Sequence, residues 1–108
     1  MSNSASEIYR HVVHFKFKPE APEDIVISVE EGFRELCKNL PFVKGFEWGI
    51  NSSPENLNHG FTHCFIVTFD DASGRDEYLP HPLHQEFCKH FLDPNLENVC
   101  VVDFNVRC

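Results

Sequence analysis

Aromatic and apolar residues occupy every second position from 8 to 18. This alternation puts one set of side chains on a single face and predicts a β-strand, which Pro19 and Pro22 end. Apolar residues then recur every three or four positions over 23–40, which predicts an amphipathic helix that ends at Pro41. The recurring residues are Ile25, Val29, Phe33, Leu36 and Leu40.

The rest of the chain continues this alternation of strand and helix patterns. Strands are predicted over 46–50, 61–69 and 98–107, and a loop dense in turn-forming residues separates the first two of these. Asp70 or Asp71 suits the N-cap of a short helix that extends to about residue 79. Pro82 suits the first position of another helix, whose shared face carries His84, Phe87, Cys88, Phe91 and Leu92.

The predicted order βαββαβ is typical of an α+β, ferredoxin-like fold. In that fold a four-stranded antiparallel-type sheet carries both helices on one face. We expect one domain over residues 8–108 after a loose tail of seven residues. We also expect the first and third strands to lie side by side and to run parallel.

The second face of this sheet is too apolar for contact with water. A patch of that size usually marks an interface, so we expect a homodimer in which two copies pack sheet to sheet. The alternative is a monomer whose apolar sheet face is partly exposed. The residues concerned are Val12, Ile50, Cys64, Ile66, Cys100, Val102 and Phe104.

Charge and composition exclude several classes of partner. The 108 residues carry a net charge of −8 and scattered lysines and arginines, so we expect neither nucleic acid nor an anionic membrane surface as a partner. No apolar run approaches the ~20 residues of a membrane span, and the polar N-terminus does not resemble a signal peptide. Five cysteines without a CxxC pair favour a reduced, cytoplasmic protein.

Ionisable residues interrupt the apolar face of the predicted sheet. His11 and His63 lie on the helix-facing side of their strands, Asp103 shares that side of the fourth strand, and His84 faces the same layer. With parallel first and third strands, these groups fall at one end of the sheet near Tyr78. Buried ionisable groups need partners, so the cluster is either a hydrogen-bonded core network or the lining of a pocket.

The segment YLPHPLH, residues 78–84, is the most specific local motif. Its two prolines fix a turn that holds Tyr78 and His84 in a defined relation. His81 falls at the N-cap of the last helix, where it caps the helix or forms a wall of the pocket; we favour the cap.

The chain resembles the stress-responsive A/B barrel (Dabb) family of the dimeric α/β-barrel superfamily from about residue 10 to 104. The resemblance rests on RHVVHFKFK, LPFVKGFEWG, GFTHCFIVTF and EYLPHPLHQEF. It implies a dimeric α/β barrel. One plant member is a polyketide cyclase that uses neither metal nor organic cofactor, while other members are stable stress-response proteins without an established reaction.

The resemblance to the cyclase implies roles for individual residues. His84 would be the general base, Tyr78 the donor to a developing oxyanion, and Asp103 the carboxylate that orients the base. The remaining matched positions would bind a polyketide-like or otherwise acidic carbonyl compound: His11, His63, His81 and the walls Phe15, Phe33 and Phe65. Phe33 replaces a tyrosine of the cyclase, and Phe15 and Phe65 replace branched aliphatic residues. The resemblance implies no cofactor and no metal.

Three alternatives to an enzyme of this kind stay open. One is a stable dimeric stress-response protein without chemistry, which binds a hydrophobic small molecule. Another is a metal site formed by His63, His81 and His84. The third, haem-dependent or monooxygenase-like oxygenation, rests on fold analogy alone.

Overall fold

The computed structural model describes residues 8–108, so the tail expected over the first seven residues lies outside the described range. A π-helical turn, Cys88–Leu92, follows the last helix directly. The other elements are β1 (Tyr9–Phe17), α1 (Glu23–Lys38), β2 (Gly45–Ile50), β3 (His63–Phe69), α2 (Ala72–Tyr78), α3 (Pro82–Phe87) and β4 (Leu96–Asn105).

The four strands form one sheet in the order β2–β3–β1–β4, and every neighbouring pair is antiparallel. The predicted α+β, ferredoxin-like fold is confirmed. The expected parallel pairing of β1 and β3 is wrong. The α1 crossover returns the chain so that β2 runs in the direction of β1, and the following connection reverses it. β3 therefore runs against β1.

The core lies between α1 and the helix-facing side of β1 and β3. Phe15 and Phe65 have no exposed surface, and Phe33 of α1 is 2% exposed. The Phe65 ring lies 4.9 Å from Phe15 and 4.7 Å from Phe33 between centroids. Each buried phenylalanine contributes about 1.5–3 kcal/mol. This packed cluster fills the middle of the layer.

Both predicted caps are present and fix the connection around the YLPHPLH motif. The Asp71 carboxylate accepts a hydrogen bond from the Ser73 amide at 2.9 Å at the start of α2. The His81 ring nitrogen Nδ1 accepts one from the Leu83 amide at 3.1 Å, and Pro82 is the first residue of α3. The prediction that His81 is a cap is confirmed. These caps place Tyr78 and His84 on either side of one short turn.

The other face of the sheet is largely apolar and partly exposed, and Phe61 packs against His14 on it with ring centroids 6.3 Å apart. On this face Val102 and Phe104 are 52% and 42% exposed. The expectation that Ile50 also lies there is wrong, because Ile50 is directly opposite His63 in the β2–β3 register and residues opposite each other share a face. Within residues 8–108, no helix has the length and apolar character needed to cross a membrane.

Candidate active site

A cavity of about 370 Å³ lies between the β1–β4 side of the sheet and the helices α2 and α3. Its polar lining consists of four residues that the sequence singles out: His11, Tyr78, His84 and Asp103. Its remaining lining is almost entirely apolar and comprises Val13, Phe33, Leu79, Phe87, Cys88, Val99 and Val101. The cavity thus combines a few converging polar groups with apolar walls, as small-molecule sites commonly do.

His84 presents one ring nitrogen that is free of a proton. Its Nδ1 lies 2.8 Å from the carbonyl oxygen of Leu79. A carbonyl can only accept, so Nδ1 carries the proton and Nε2 of the neutral ring has a lone pair. Burial lowers the pKa of His84 below its usual value, and the nearby His11 and His81 lower it further, against the opposing effect of the Leu79 carbonyl. His84 is therefore neutral at pH 7 and can accept a proton.

Tyr78 brings a hydroxyl group beside this base. The residue is 1% exposed, and its ring centroid lies 4.4 Å from that of His84. The hydroxyl makes no hydrogen bond to another residue in the range 8–108. Burial raises the pKa of Tyr78 far above its usual value, so the group remains a neutral phenol. It can donate a hydrogen bond to a bound molecule.

Asp103 contacts His11 instead of His84. The carboxylate oxygen Oδ1 accepts a hydrogen bond from Nδ1 of His11 at 2.7 Å. The two residues are directly opposite each other in the β1–β4 ladder, and their side chains point to the same face. The prediction that Asp103 orients His84 is wrong, because the Leu79 carbonyl performs that role. Asp103 instead leaves Nε2 of His11 as the ring nitrogen available to the cavity.

Arg75 completes this network from α2. Its Nη1 donates to Asp103 Oδ2 and to the Tyr9 hydroxyl, both at 2.8 Å. The guanidinium carbon also lies 5.1 Å from the centre of the Tyr9 ring. Sequence reasoning missed both residues. The spacing of Arg75 could have indicated its position. It precedes Tyr78 by three residues on one helix, and residues three apart share a helix face.

His63 does not reach the cavity. It pairs with Phe15 in the β1–β3 register, four residues along β1 from His11, which corresponds to about 13 Å at the rise of a strand. Its Nε2 lies 2.7 Å from Glu30 of α1, and its Nδ1 lies 2.9 Å from the Thr62 hydroxyl. Both ring nitrogens therefore have partners. The antiparallel direction of β3 separates His63 from the other predicted residues.

Three further residues expected to line the pocket have other positions. Phe15 and Phe65 lie in the closed core, while Phe33 extends from that core to the cavity wall. The His81 ring caps α3 and is not part of the cavity lining. His63, His81 and His84 do not converge, and within residues 8–108 no three His, Cys, Asp or Glu side chains form a group that could hold a metal ion.

Comparisons with known proteins relate the chain to plant proteins of two kinds. It is 35% identical over 95 residues to the stress-response A/B barrel domain-containing protein HS1 of Arabidopsis thaliana, covering 88% of this chain and 86% of the relative. It is 30% identical over 78 residues to olivetolic acid cyclase of Cannabis sativa, covering 72% and 77%.

Solved structures with the same fold extend this comparison. A hydroxynitrile lyase from Passiflora edulis matches with a TM-score of 0.87 and 26% identity, covering 94% of this chain and 95% of the lyase. A dimeric ferredoxin-like protein of unknown function from Jannaschia sp. CCS1 matches with a TM-score of 0.78 and 26% identity, covering 92% and 99%. The model of the stress responsive A/B barrel domain matches residues 9–106. The chain belongs to the stress-responsive A/B barrel (Dabb) family.

Proposed function

We propose that the protein is a cofactor-independent enzyme that makes or breaks a carbon–carbon bond in a small acidic carbonyl compound. The observation that supports this most is a pair of polar groups that line an apolar cavity. One is the unprotonated Nε2 of a half-buried, neutral His84, which the Cys88 thiol contacts, and the other is the Tyr78 hydroxyl, which has no hydrogen-bond partner among residues 8–108. Among the relatives, one is a cyclase and one a lyase by name.

The proposed reaction starts with proton removal by His84. A carbon between two carbonyl groups is acidic, and a neutral imidazole suits its deprotonation near pH 7. Negative charge then develops on a carbonyl oxygen, to which the Tyr78 hydroxyl donates a hydrogen bond. In a cyclisation, the resulting carbanion attacks a second carbonyl of the same molecule. In the lyase direction a hydroxyl group of the substrate gives its proton to His84, its oxygen becomes a carbonyl as the carbon–carbon bond breaks, and the departing carbanion or cyanide takes that proton.

His11 is the second acid–base group of the proposal. Asp103 holds its Nδ1, so Nε2 can exchange a proton with the second carbonyl or hydroxyl group of the substrate. Arg75 fixes the other oxygen of Asp103 and thereby the orientation of the pair. The apolar walls suit a hydrocarbon tail of a polyketide-like substrate. The reaction as proposed uses protons alone and needs no metal or organic cofactor.

Turnover of two substrate types tests this function. Purified protein is incubated with a linear β-polyketide thioester and, separately, with an aromatic hydroxynitrile, and products are quantified by mass spectrometry. We compare His84→Ala with His90→Ala, because His90 is exposed and pairs with Glu86 outside the cavity. Loss of product in His84→Ala alone supports the proposal. Equal product from wild type and His84→Ala overturns it.

We also propose that the protein is a homodimer whose two sheets pack face to face as an α/β barrel. The apolar, partly exposed sheet face supports this arrangement, as does the dimeric relative. Sedimentation equilibrium gives the mass in solution, and a monomer at micromolar concentration would contradict the proposal.

The alternative function is a stable dimer without chemistry that binds a hydrophobic small molecule. It shares this assembly. In that case substitutions in the cavity would change stability or ligand binding and would have no turnover to change.

The reducing cytoplasm is the proposed compartment. All five cysteines are free, and two of them, Cys100 and Cys108, are exposed. Exposed thiols of this kind oxidise in secretory compartments. Imaging of a fluorescent fusion tests this placement, and a secretory location would contradict it.

A further inference from the structure

Cys88 places a thiol on the proposed catalytic base. It is the first residue of the π-helical turn, and its Sγ lies 3.5 Å from Nε2 of His84. Nε2 is the nitrogen without a proton, so the thiol is the donor in this contact. In the sequence, Cys88 is one of the apolar positions of the last helix. The structure instead puts its sulfur in the lining of the cavity that also contains Tyr78.

A thiol and an imidazole in contact form a nucleophile and its base. Burial raises the pKa of the Cys88 thiol, and Asp93 adds to this effect, so the sulfur keeps its proton at pH 7. Attack on an electrophile therefore requires that His84 takes the proton as the new bond forms. His84 is neutral and suited to that transfer.

The other groups of the cavity indicate which electrophile fits. The buried Tyr78 hydroxyl has no partner among residues 8–108 and can bind a carbonyl oxygen. The charge of Asp103, the one acidic group in the lining, is already matched by Arg75. The remaining walls are apolar. A neutral carbonyl compound with a hydrocarbon tail meets all three conditions.

We propose that Cys88 captures α,β-unsaturated carbonyl compounds covalently, by conjugate addition. Sγ forms a bond to the β-carbon, and the thiol proton passes to Nε2 of His84. The electrons of the carbon–carbon double bond move to the carbonyl oxygen, where the Tyr78 hydroxyl stabilises the enolate. The α-carbon then takes the proton from His84. The net reaction adds S–H across the double bond and needs no other reactant.

This proposal rests on the same base and donor as the proposed function, but it requires no turnover. Its test uses the full chain and (E)-3-nonen-2-one, an enone with an apolar tail. Peptide mapping by mass spectrometry follows the adducts at Cys88 and at the exposed Cys108 in the same sample over time. We expect Cys88 to react about tenfold faster than Cys108, as general-base assistance allows.

Matched variants separate base catalysis from simple access. We expect His84→Ala to slow labelling of Cys88 about tenfold or more and to leave Cys108 unchanged, while His90→Ala changes neither. We expect the saturated ketone 2-nonanone to slow labelling of Cys88 alone, a result that needs no variant to fold. Labelling of Cys88 at or below the rate of Cys108, or at a rate independent of His84, overturns the proposal.

Failure of the capture proposal is distinguishable from failure of the proposed enzyme. Product from a thioester or hydroxynitrile without selective labelling of Cys88 overturns the capture alone. Selective labelling that depends on His84, without turnover of either substrate, overturns the enzymatic proposal and supports the capture.

Discussion

The carboxylate of Asp103 lies 2.7 Å from Nδ1 of His11, across the β1–β4 ladder, and does not contact His84. Two histidines of one cavity are therefore held in different ways. The backbone carbonyl of Leu79 fixes His84, which burial keeps neutral. A carboxylate fixes His11, which can stabilise a positive charge formed there. This difference suits His84 to accept the first proton and His11 to exchange a proton with a second group of the substrate.

Arg75 is expected to act as a positioning residue for His11. Arg75→Met removes the donor to Asp103 and leaves the carboxylate free to turn, so kcat should fall about tenfold while KM changes little. Asp76→Asn is the matched control, because Asp76 contacts the Nε side of Arg75 and is outside the cavity lining. Steady-state kinetics of both variants check this. Equal effects of the two substitutions on kcat would contradict a role through Asp103.

Tyr78→Phe should separate catalysis from stability. The hydroxyl has no partner among residues 8–108, so its removal breaks no hydrogen bond there, and we expect a melting temperature within about 2 °C of wild type. Turnover should fall by about 10²–10³ if the hydroxyl stabilises an oxyanion. Thermal unfolding and kinetics on the same preparation measure both. A marked loss of stability with unchanged turnover would favour the protein without chemistry.

The pH dependence of kcat/KM should have its acid limb below the usual histidine range. Burial lowers the pKa of His84, so the neutral base persists below the ordinary histidine pKa of about 6.5. The linked contribution of His84 to stability is present above about pH 6.5 and is lost as the pH falls through the lower folded-state value. A pH series of rates and of unfolding midpoints checks both effects. An acid limb at or above pH 6.5 that persists when His84 is substituted would argue against this base.

Glu30→Gln should affect stability and spare the cavity. Glu30 forms a buried pair with His63 at 2.7 Å, at the other end of the layer from His11. Loss of a hydrogen bond to a carboxylate costs about 1.5–3 kcal/mol, which lowers the melting temperature of a domain this size by about 6 °C or more. Turnover per folded molecule should not change. A Glu30→Gln protein with unaltered stability and lost turnover would show that His63 belongs to the functional site.

Val102→Glu should dissociate the proposed dimer. Val102 is 52% exposed on the open sheet face, and a carboxylate buried between two sheets would lack a partner. Leu83→Glu is a matched control, since Leu83 is 45% exposed on the helical side. Sedimentation equilibrium compares the two variants. A Val102→Glu protein that keeps the mass of a dimer would place the interface elsewhere.

The sequence alone determined which elements form and which side chains share a face. The alternation in β1, the apolar stripe of α1, and the caps Asp71 and His81 are local patterns, because strand and helix periodicity depends on neighbouring residues. The same patterns placed His11, His84 and Asp103 on the inner side of their elements. The position of Tyr78 next to the proline turn was enough to place it near His84.

Tertiary structure alone decided which of these side chains meet. The direction of β3 relative to β1 follows from the crossover and the connection after β2, and it moved His63 to the opposite end of the layer. The β1–β4 register puts Asp103 opposite His11, so the two side chains form a hydrogen bond. The positions of α2 and the π-helical turn bring Arg75 to Asp103 and Cys88 to His84. Contacts between distant elements depend on strand direction and packing, which periodicity within a segment does not contain.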